Sequence, residues 1–268
     1  MLSLVLVLFV IGLIGSFLSG MLGMGGAIIN YPMLLFLPPL LGVGLFSPQE
    51  VSGISMVQVF FTTLAGVLSY RNSSLCSMKL VGYMGIPCLT GSLLGGLSAA
   101  YLTADGINLV YLLLAIGASI LIFIPRKVNK DEDQSQTFTF SMSIAISLSF
   151  LVGILSGIVG AGGAFILIPI MLTILKIPTR VTIASSLAIV FLSSIGGTIG
   201  KFISGDILFI PTVSVVVASI IGAPIGAFVS QKVSIKRLRY MLACLILLSS
   251  FKMVVDFVEH SSLFFSFK

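Results

Sequence analysis

Few side chains in this 268-residue chain are equipped for acid–base or metal chemistry. There is one histidine, His260, and the three cysteines (Cys76, Cys88, Cys244) show no C-x-x-C spacing. Glu50, Asp105 and Asp206 stand alone. A zinc site needs clustered His, Cys or acid ligands, an aspartyl mechanism needs two carboxylates together, and a serine nucleophile needs a base. Within the apolar spans the chain offers none of these, so the sequence argues against an enzyme and predicts neither metal nor cofactor. The residues that could do chemistry are glycines and hydroxyls. Ser19-Gly-Met-Leu-Gly-Met-Gly-Gly-Ala-Ile-Ile-Asn-Tyr-Pro32 is matched by Ser156-Gly-Ile-Val-Gly-Ala-Gly-Gly-Ala-Phe-Ile-Leu-Ile-Pro169, with Ser, four Gly, Ala and Pro in register. Glycines lower the cost of leaving a helix and admit close backbone approach. A helix restarting at Ala27 or Ala164 would aim free N–H groups and a positive dipole end into the gap before it. Such a gap binds an anion without a charged side chain.

The candidate site residues are therefore Gly23, Gly25, Gly26 and Ala27 in one copy and Gly160, Gly162, Gly163 and Ala164 in the other. Ser55, Gln58, Thr62 and Thr63 in the first half face Ser185, Ser186, Ser193 and Ser194 in the second, and hydroxyls can donate to the oxygens of an anion. Ser55 and Ser186, matched between the copies, are the hydroxyls chosen; the competing role for any of them is bonding back to its own helix. Asn30 is polar within a short apolar run, whereas its counterpart is Leu167. Lys201 ends an apolar run and would either hold an anion or snorkel to the interface. Lys252 and Asp256, four residues apart, would pair with each other.

These groups are carried by a greasy chain: 57% hydrophobic, 8% charged, with a mean hydropathy of +1.22. A soluble domain carries about 25% charged residues. So few charges exclude a soluble enzyme, a disordered chain and a nucleic-acid binder, despite the net charge of +6. A spanning helix needs about 20 apolar residues. Runs of that kind are Leu2–Ser19, Val51–Tyr70, Leu80–Tyr101, Ile107–Pro125, Phe140–Ser156, Val181–Gly200, Ile207–Val229 and Tyr240–Val258. Two shorter runs, Ala27–Leu41 and Ala164–Leu175, each follow a glycine cluster and suit broken or re-entrant segments. The expectation is an all-α polytopic membrane protein of 8–10 transmembrane helices, its first run retained because Met1 leads straight into apolar sequence with no cleavage site. Residues 1–125 form a first repeat, 126–139 a charged cytoplasmic linker, and 140–260 a second repeat.

Further matches support the division. Ser55-Met56 pairs with Ser186-Leu187, Thr62-Thr63 with Ser193-Ser194, Gly66 with Gly197, and Gly91 and Gly95 with Gly222 and Gly226. The last four glycines are read as helix-packing positions. About five segments per half place one side of the membrane against Arg71, Lys79, Arg126, Lys127, Lys130, Lys176, Arg180, Lys232, Lys236, Arg237 and Arg239, eleven of the fourteen basic residues. If each glycine cluster lay inside one long span, these charges would split almost evenly. The positive-inside rule thus puts both termini outside and the linker in the cytoplasm. An odd number of crossings per half makes the two copies inverted repeats, an architecture of secondary transporters with a midplane site.

The doubled S-G-x-x-G-x-G-G-A block with its following Pro, together with the later Ser-rich and Gly-rich segments from about Ser16 to Val229, resembles the sulfite exporter TauE/SafE family, also called 4-toluenesulfonate uptake permeases. Where that family tends to show Thr-Ser-Leu, this chain has Ile54-Ser55-Met56 and Ser185-Ser186-Leu187. The resemblance implies a secondary transporter of sulfite, sulfonates or related organic anions, coupled to the proton gradient, with the lipid bilayer and a small anion as its partners. An anion channel, or a carrier of a non-sulfur anion, is the alternative function, since both need a lined polar path.

Overall fold

Helix ends in this chain follow from residues that can leave or enter a helix at low cost. The computed structural model describes residues 2–22, 27–70, 76–123 and 141–233, with Tyr240, Met241, Cys244 and Phe251 beyond them. Among these the regular elements are α1 (Leu2–Leu22), α2 (Ala27–Leu40), α3 (Pro48–Tyr70), α4 (Met78–Ser98, prolonged by a 3-10 turn Ala99–Tyr101), α5 (Ala104–Phe123), α6 (Met142–Val159), α7 (Ala164–Thr173), α8 (Thr179–Ser204) and α9 (Phe209–Lys232). Helix α3 opens with Pro48 in its first turn, and Ser47 and Glu50 cap it reciprocally. The Ser47 N–H donates to Glu50 Oε2 at 2.8 Å and the Glu50 N–H donates to Ser47 Oγ at 3.3 Å. Glu50, isolated in the sequence, is a capping residue. Gly160 and Gly205, both at positive φ, end α6 and α8.

The chain is an all-helical, multi-pass membrane protein. Seven described helices, all but α2 and α7, are long and apolar enough to cross a membrane. With 14 and 10 residues, α2 and α7 reach only about 21 and 15 Å against a hydrocarbon core of about 30 Å. The linker at 126–139 and nearly all of the last apolar run, Tyr240–Val258, lie outside the described residues.

The helices are joined by close backbone contacts at glycine, and the contacts recur between the halves. A Cβ on Gly91 or Gly95 of α4 would strike the Phe150 or Ile154 carbonyl of α6. Their counterparts on α9, Gly222 and Gly226, abut the Leu13 and Phe17 carbonyls of α1 in the same way. Gly157 lies on the Ser92 carbonyl, and its counterpart Gly20 lies on that of Ala223. The sequence-based packing role of these glycines is therefore correct. In lipid no hydrophobic drive brings helices together, so small residues that allow backbone approach supply the contact.

These contacts also set direction. Advancing along α1 from Gly12 to Phe17 advances along α9 from Val215 to Gly226, so the two run parallel. The α4–α6 contacts (Gly91 with Phe150, Gly95 with Ile154) and α4–α8 contacts (Gly85 with Leu192, Gly96 with Gly200) are parallel too. By contrast α3 crosses α8 antiparallel, Gly66 meeting Leu187 and Gly197 meeting Met56. At the centre of that crossing Phe60 stacks on Phe191, ring centroids 5.4 Å apart.

Candidate functional site

The second glycine block makes a tight, buried reversal between α6 and α7. Gly160, Gly162 and Gly163 have φ of 77°, 64° and 77°, a left-handed backbone that an L side chain adopts only at a cost. The Gly160 and Ala161 N–H groups both donate to the Ser156 carbonyl, at 2.9 and 3.0 Å. The next acceptor is the Gly163 carbonyl, taken by Ile166 at 3.2 Å and Leu167 at 2.9 Å. The N–H groups of Gly162, Gly163 and Ala164 have no acceptor among the described residues. This is the set of free donors that the start of a helix must leave.

Position is what makes the reversal notable. A Cβ on Gly160 would strike the Ser52 carbonyl in the first turns of α3. One on Gly162 would sit 2.6 Å from Val59 Cγ1 and 2.9 Å from Val190 Cγ1. Val59 and Val190 are counterparts in the two halves, each near the middle of its helix, beside the stacked Phe60 and Phe191. The reversal thus dips from the end of α3 to the point where α3 and α8 cross. It is enclosed there: residues 160–164 are buried, with Val59, Val190 and Val152 packed against them. The expected hollow between two breaks is not open on this side. Gly23, Gly25 and Gly26 lie outside the described residues; Ala27 opens α2.

The first half brings polar side chains to the same level. Gln58 Nε2 donates to Ser16 Oγ at 3.0 Å and to the Gly12 carbonyl at 3.4 Å; Ser16 in turn donates to Ser219 Oγ at 2.6 Å. Ser16 and Thr62 hydroxyls lie 3.3 Å apart. Asn30 is fully buried, its amide pressed against Gly15 of α1, with neither amide atom hydrogen-bonded. Ser19 Oγ, Ser55 Oγ and Gln58 Oε1 are likewise buried without a partner. At two of these positions the second half is apolar: the counterparts of Asn30 and Gln58 are Leu167 and Ile189, both 0% exposed.

Two sequence-based expectations change here. Ser55 and Ser186 are not equivalent, because Ser186 donates back to the Ile183 carbonyl at 3.0 Å while Ser55 has no partner. Lys201 does not snorkel. Its side chain is 0% exposed and pairs with Asp206 Oδ2 at 3.1 Å. The left-handed turn at Gly205 folds Asp206 back onto the end of α8, and the bare Gly53 of α3 receives the Asp206 carbonyl. A buried ammonium needs such a counter-ion. The pair and the mouth of the glycine reversal therefore touch adjacent α3 residues, Gly53 and Ser52. Gln58, whose burial and partners only the folded chain shows, belongs with the candidate site. Among the described residues no three His, Cys, Asp or Glu side chains gather as metal ligands.

The family model described as "Sulfite exporter TauE/SafE" matches residues 8–253. The chain is 26% identical over 269 residues to the "Probable membrane transporter protein YunE" of Bacillus subtilis (strain 168), covering 93% of this chain and 97% of that one. It is 27% identical over 258 residues to the "Probable membrane transporter protein MJ0441" of Methanocaldococcus jannaschii, covering 91% of each. A second Bacillus subtilis protein, "Probable membrane transporter protein YdhB", is 28% identical over 217 residues, 80% of this chain and 83% of that one. No solved structure matches.

Proposed function

The chain belongs to the sulfite exporter TauE/SafE family and is a membrane transporter of that type, and from that premise we propose that it carries small sulfur-containing or organic anions, of the sulfite and sulfonate class, across the cell membrane. It works as a secondary transporter driven by the proton gradient. The observation that carries this reading is the placement of Gly162, whose free N–H group and those of the next two residues sit at the α3–α8 crossing between counterpart valines. Donors held there by the backbone would grip an anion at the membrane midplane without burying a cation.

The halves act as inverted repeats. Support comes from the exchange of equivalent contacts between them and from the opposed directions of α3 and α8. Because α1 and α9 run parallel, Lys232 in the last turn of α9 lies on the side where α1 ends, and the positive-inside rule makes that side the cytoplasm, with the chain starting outside. Enclosure of the reversal by Val59, Val152 and Val190 favours a carrier over an open channel. A carrier must close around its site before opening to the other side.

The test is transport by full-length protein in liposomes, with a thermal-shift screen against sulfite, thiosulfate, sulfonates, sulfate and carboxylates. Uptake should saturate, show counterflow, and be lost in Gly162→Val and Gly163→Val variants that still reach the membrane. Unitary currents, or wild-type uptake in those variants, would remove this reading.

A further inference from the structure

Gln58 has its amide orientation dictated by a one-way chain of donors. The Ser219 hydroxyl donates to the Val215 carbonyl at 2.7 Å, and the Ser16 hydroxyl donates to Ser219 Oγ at 2.6 Å. With its proton committed, Ser16 Oγ can only accept from Gln58. Gln58 Nε2 supplies that donor at 3.0 Å and points its other hydrogen toward the Gly12 carbonyl at 3.4 Å. Turning the amide over would set Oε1 against two lone-pair-bearing oxygens. The chain therefore leaves Oε1 outward, a fully buried acceptor with no partner.

Its neighbours complete an unsatisfied set. Asn30 lies against Gly15, the residue beside Ser16 on α1. Ser19 follows Gly15 by one turn, on the same side of α1, and Ser55 precedes Gln58 by about one turn of α3. All are 0% exposed, and the Asn30 amide and both hydroxyls lack partners. Buried polar groups left unmatched are costly, about 1–3 kcal/mol each, and a group of them is where a water, an ion or a ligand completes the bonding. Asn30 Nδ2 and the two hydroxyls can donate to an oxyanion. Gln58 Oε1 cannot; it needs a donor.

We propose that the transported solute brings its own hydrogen-bond donor to Gln58 Oε1, so that the site takes a small oxyanion that is hydroxylated or singly protonated and discriminates against donor-free anions of equal size. This rests on the anion-transport reading above. The amide groups of this set come from the first half alone, since Leu167 and Ile189 stand at the matching positions of the second. A fully deprotonated, donor-free oxyanion would set its own lone pairs against Gln58 Oε1.

The experiment compares affinities of the purified full-length protein for matched anion pairs. One pair is 2-hydroxyethanesulfonate against 1-propanesulfonate, and a second is glycolate against propanoate; in each a hydroxyl replaces a methyl at equal charge. Hydrogen sulfite against methanesulfonate asks whether the donor can be a proton on the oxyanion itself. The donor-bearing member of at least one pair should bind about tenfold tighter or more. Gln58→Leu should shrink that ratio to within about threefold by weakening the donor-bearing member alone, because a lost acceptor costs only the ligand that used it. Ser16 keeps its bond to Ser219 and its contact with Thr62 in that variant, so the helix contact survives. Equal affinities within every pair, or a ratio unchanged by Gln58→Leu, would overturn the inference while leaving anion transport standing. Binding of none of these anions would sink the anion reading and this inference together.

Discussion

Placing a methyl group at Gly162 should stop transport through two separable penalties. The first is conformational. Gly162 has a φ of 64°, and an L residue there costs about 1–2 kcal/mol. The second is steric. An ideal Cβ would lie 2.6 Å from Val59 Cγ1 and 2.9 Å from Val190 Cγ1, where carbon atoms prefer about 3.5–4.0 Å. Both valines are fully buried, so relief requires shifting α3 or α8, and overpacking of this kind costs about 1–3 kcal/mol. Gly162→Ala should therefore destabilise by about 2–5 kcal/mol. The two penalties can be told apart by the double variant Gly162→Ala/Val59→Ala, which deletes the nearer clashing methyl and so returns part of the steric penalty while leaving the conformational one and the Val190 contact in place. Heating followed by size-exclusion chromatography, run beside liposome uptake, gives stability and activity on the same preparations. The single variant should lose both melting temperature and uptake, and the double variant should regain part of each relative to it. If Gly162→Ala matches wild type, the reversal does not sit at the helix crossing, and the reasoning fails. If Val59→Ala gives no relief, the steric half fails alone.

Other outcomes follow from the same contacts. Gly226→Leu should prevent assembly, because its Cβ would press on the Phe17 carbonyl of α1, whereas Gly82→Ala, with nothing within 4 Å, should be neutral or stabilise by up to about 1 kcal/mol; yields of monodisperse protein compare them. Removing one member of the buried ion pair, as in Lys201→Met or Asp206→Asn, should cost about 3–5 kcal/mol. The double variant Lys201→Met/Asp206→Leu should recover most of it, and a melt that falls further in the double variant would contradict the pairing. A cysteine placed in the Asn129–Gln136 stretch of a chain otherwise free of cysteine should resist an impermeant thiol reagent in intact cells and react once they are lysed. Labelling in intact cells would put the linker outside.

Much of the fold was legible because membrane spans announce themselves by length and composition. The runs at Leu2–Ser19, Val181–Gly200 and Ile207–Val229 became α1, α8 and α9 with ends shifted by only a few residues. The glycine block at 156–163 was legible as a break because only glycine accepts three left-handed positions in four residues. Asn30 and Ser55 were legible as polar groups at apolar positions. Less was visible of what these residues touch. Nothing near Lys201 in the sequence says that a turn at Gly205 will bring Asp206 back to it, or that Gly53, far away on α3, will make room for that turn.

What the sequence determined by itself is local: which stretches cannot stay in water, where the backbone can leave a helix, and that the chain repeats its own motif. Those properties reside in single residues and their immediate neighbours, so they survive without a partner. Tertiary structure alone decided which faces meet. It set α1 on α9 and α6 on α4, drove the glycine reversal between Val59 and Val190, and closed that reversal rather than leaving it open. It also decided that Ser16, Ser219 and Val215 would orient Gln58. Packing between helices far apart in the chain turns on shape and on hydrogen-bond direction across the contact, and a linear pattern of apolar and small residues carries neither.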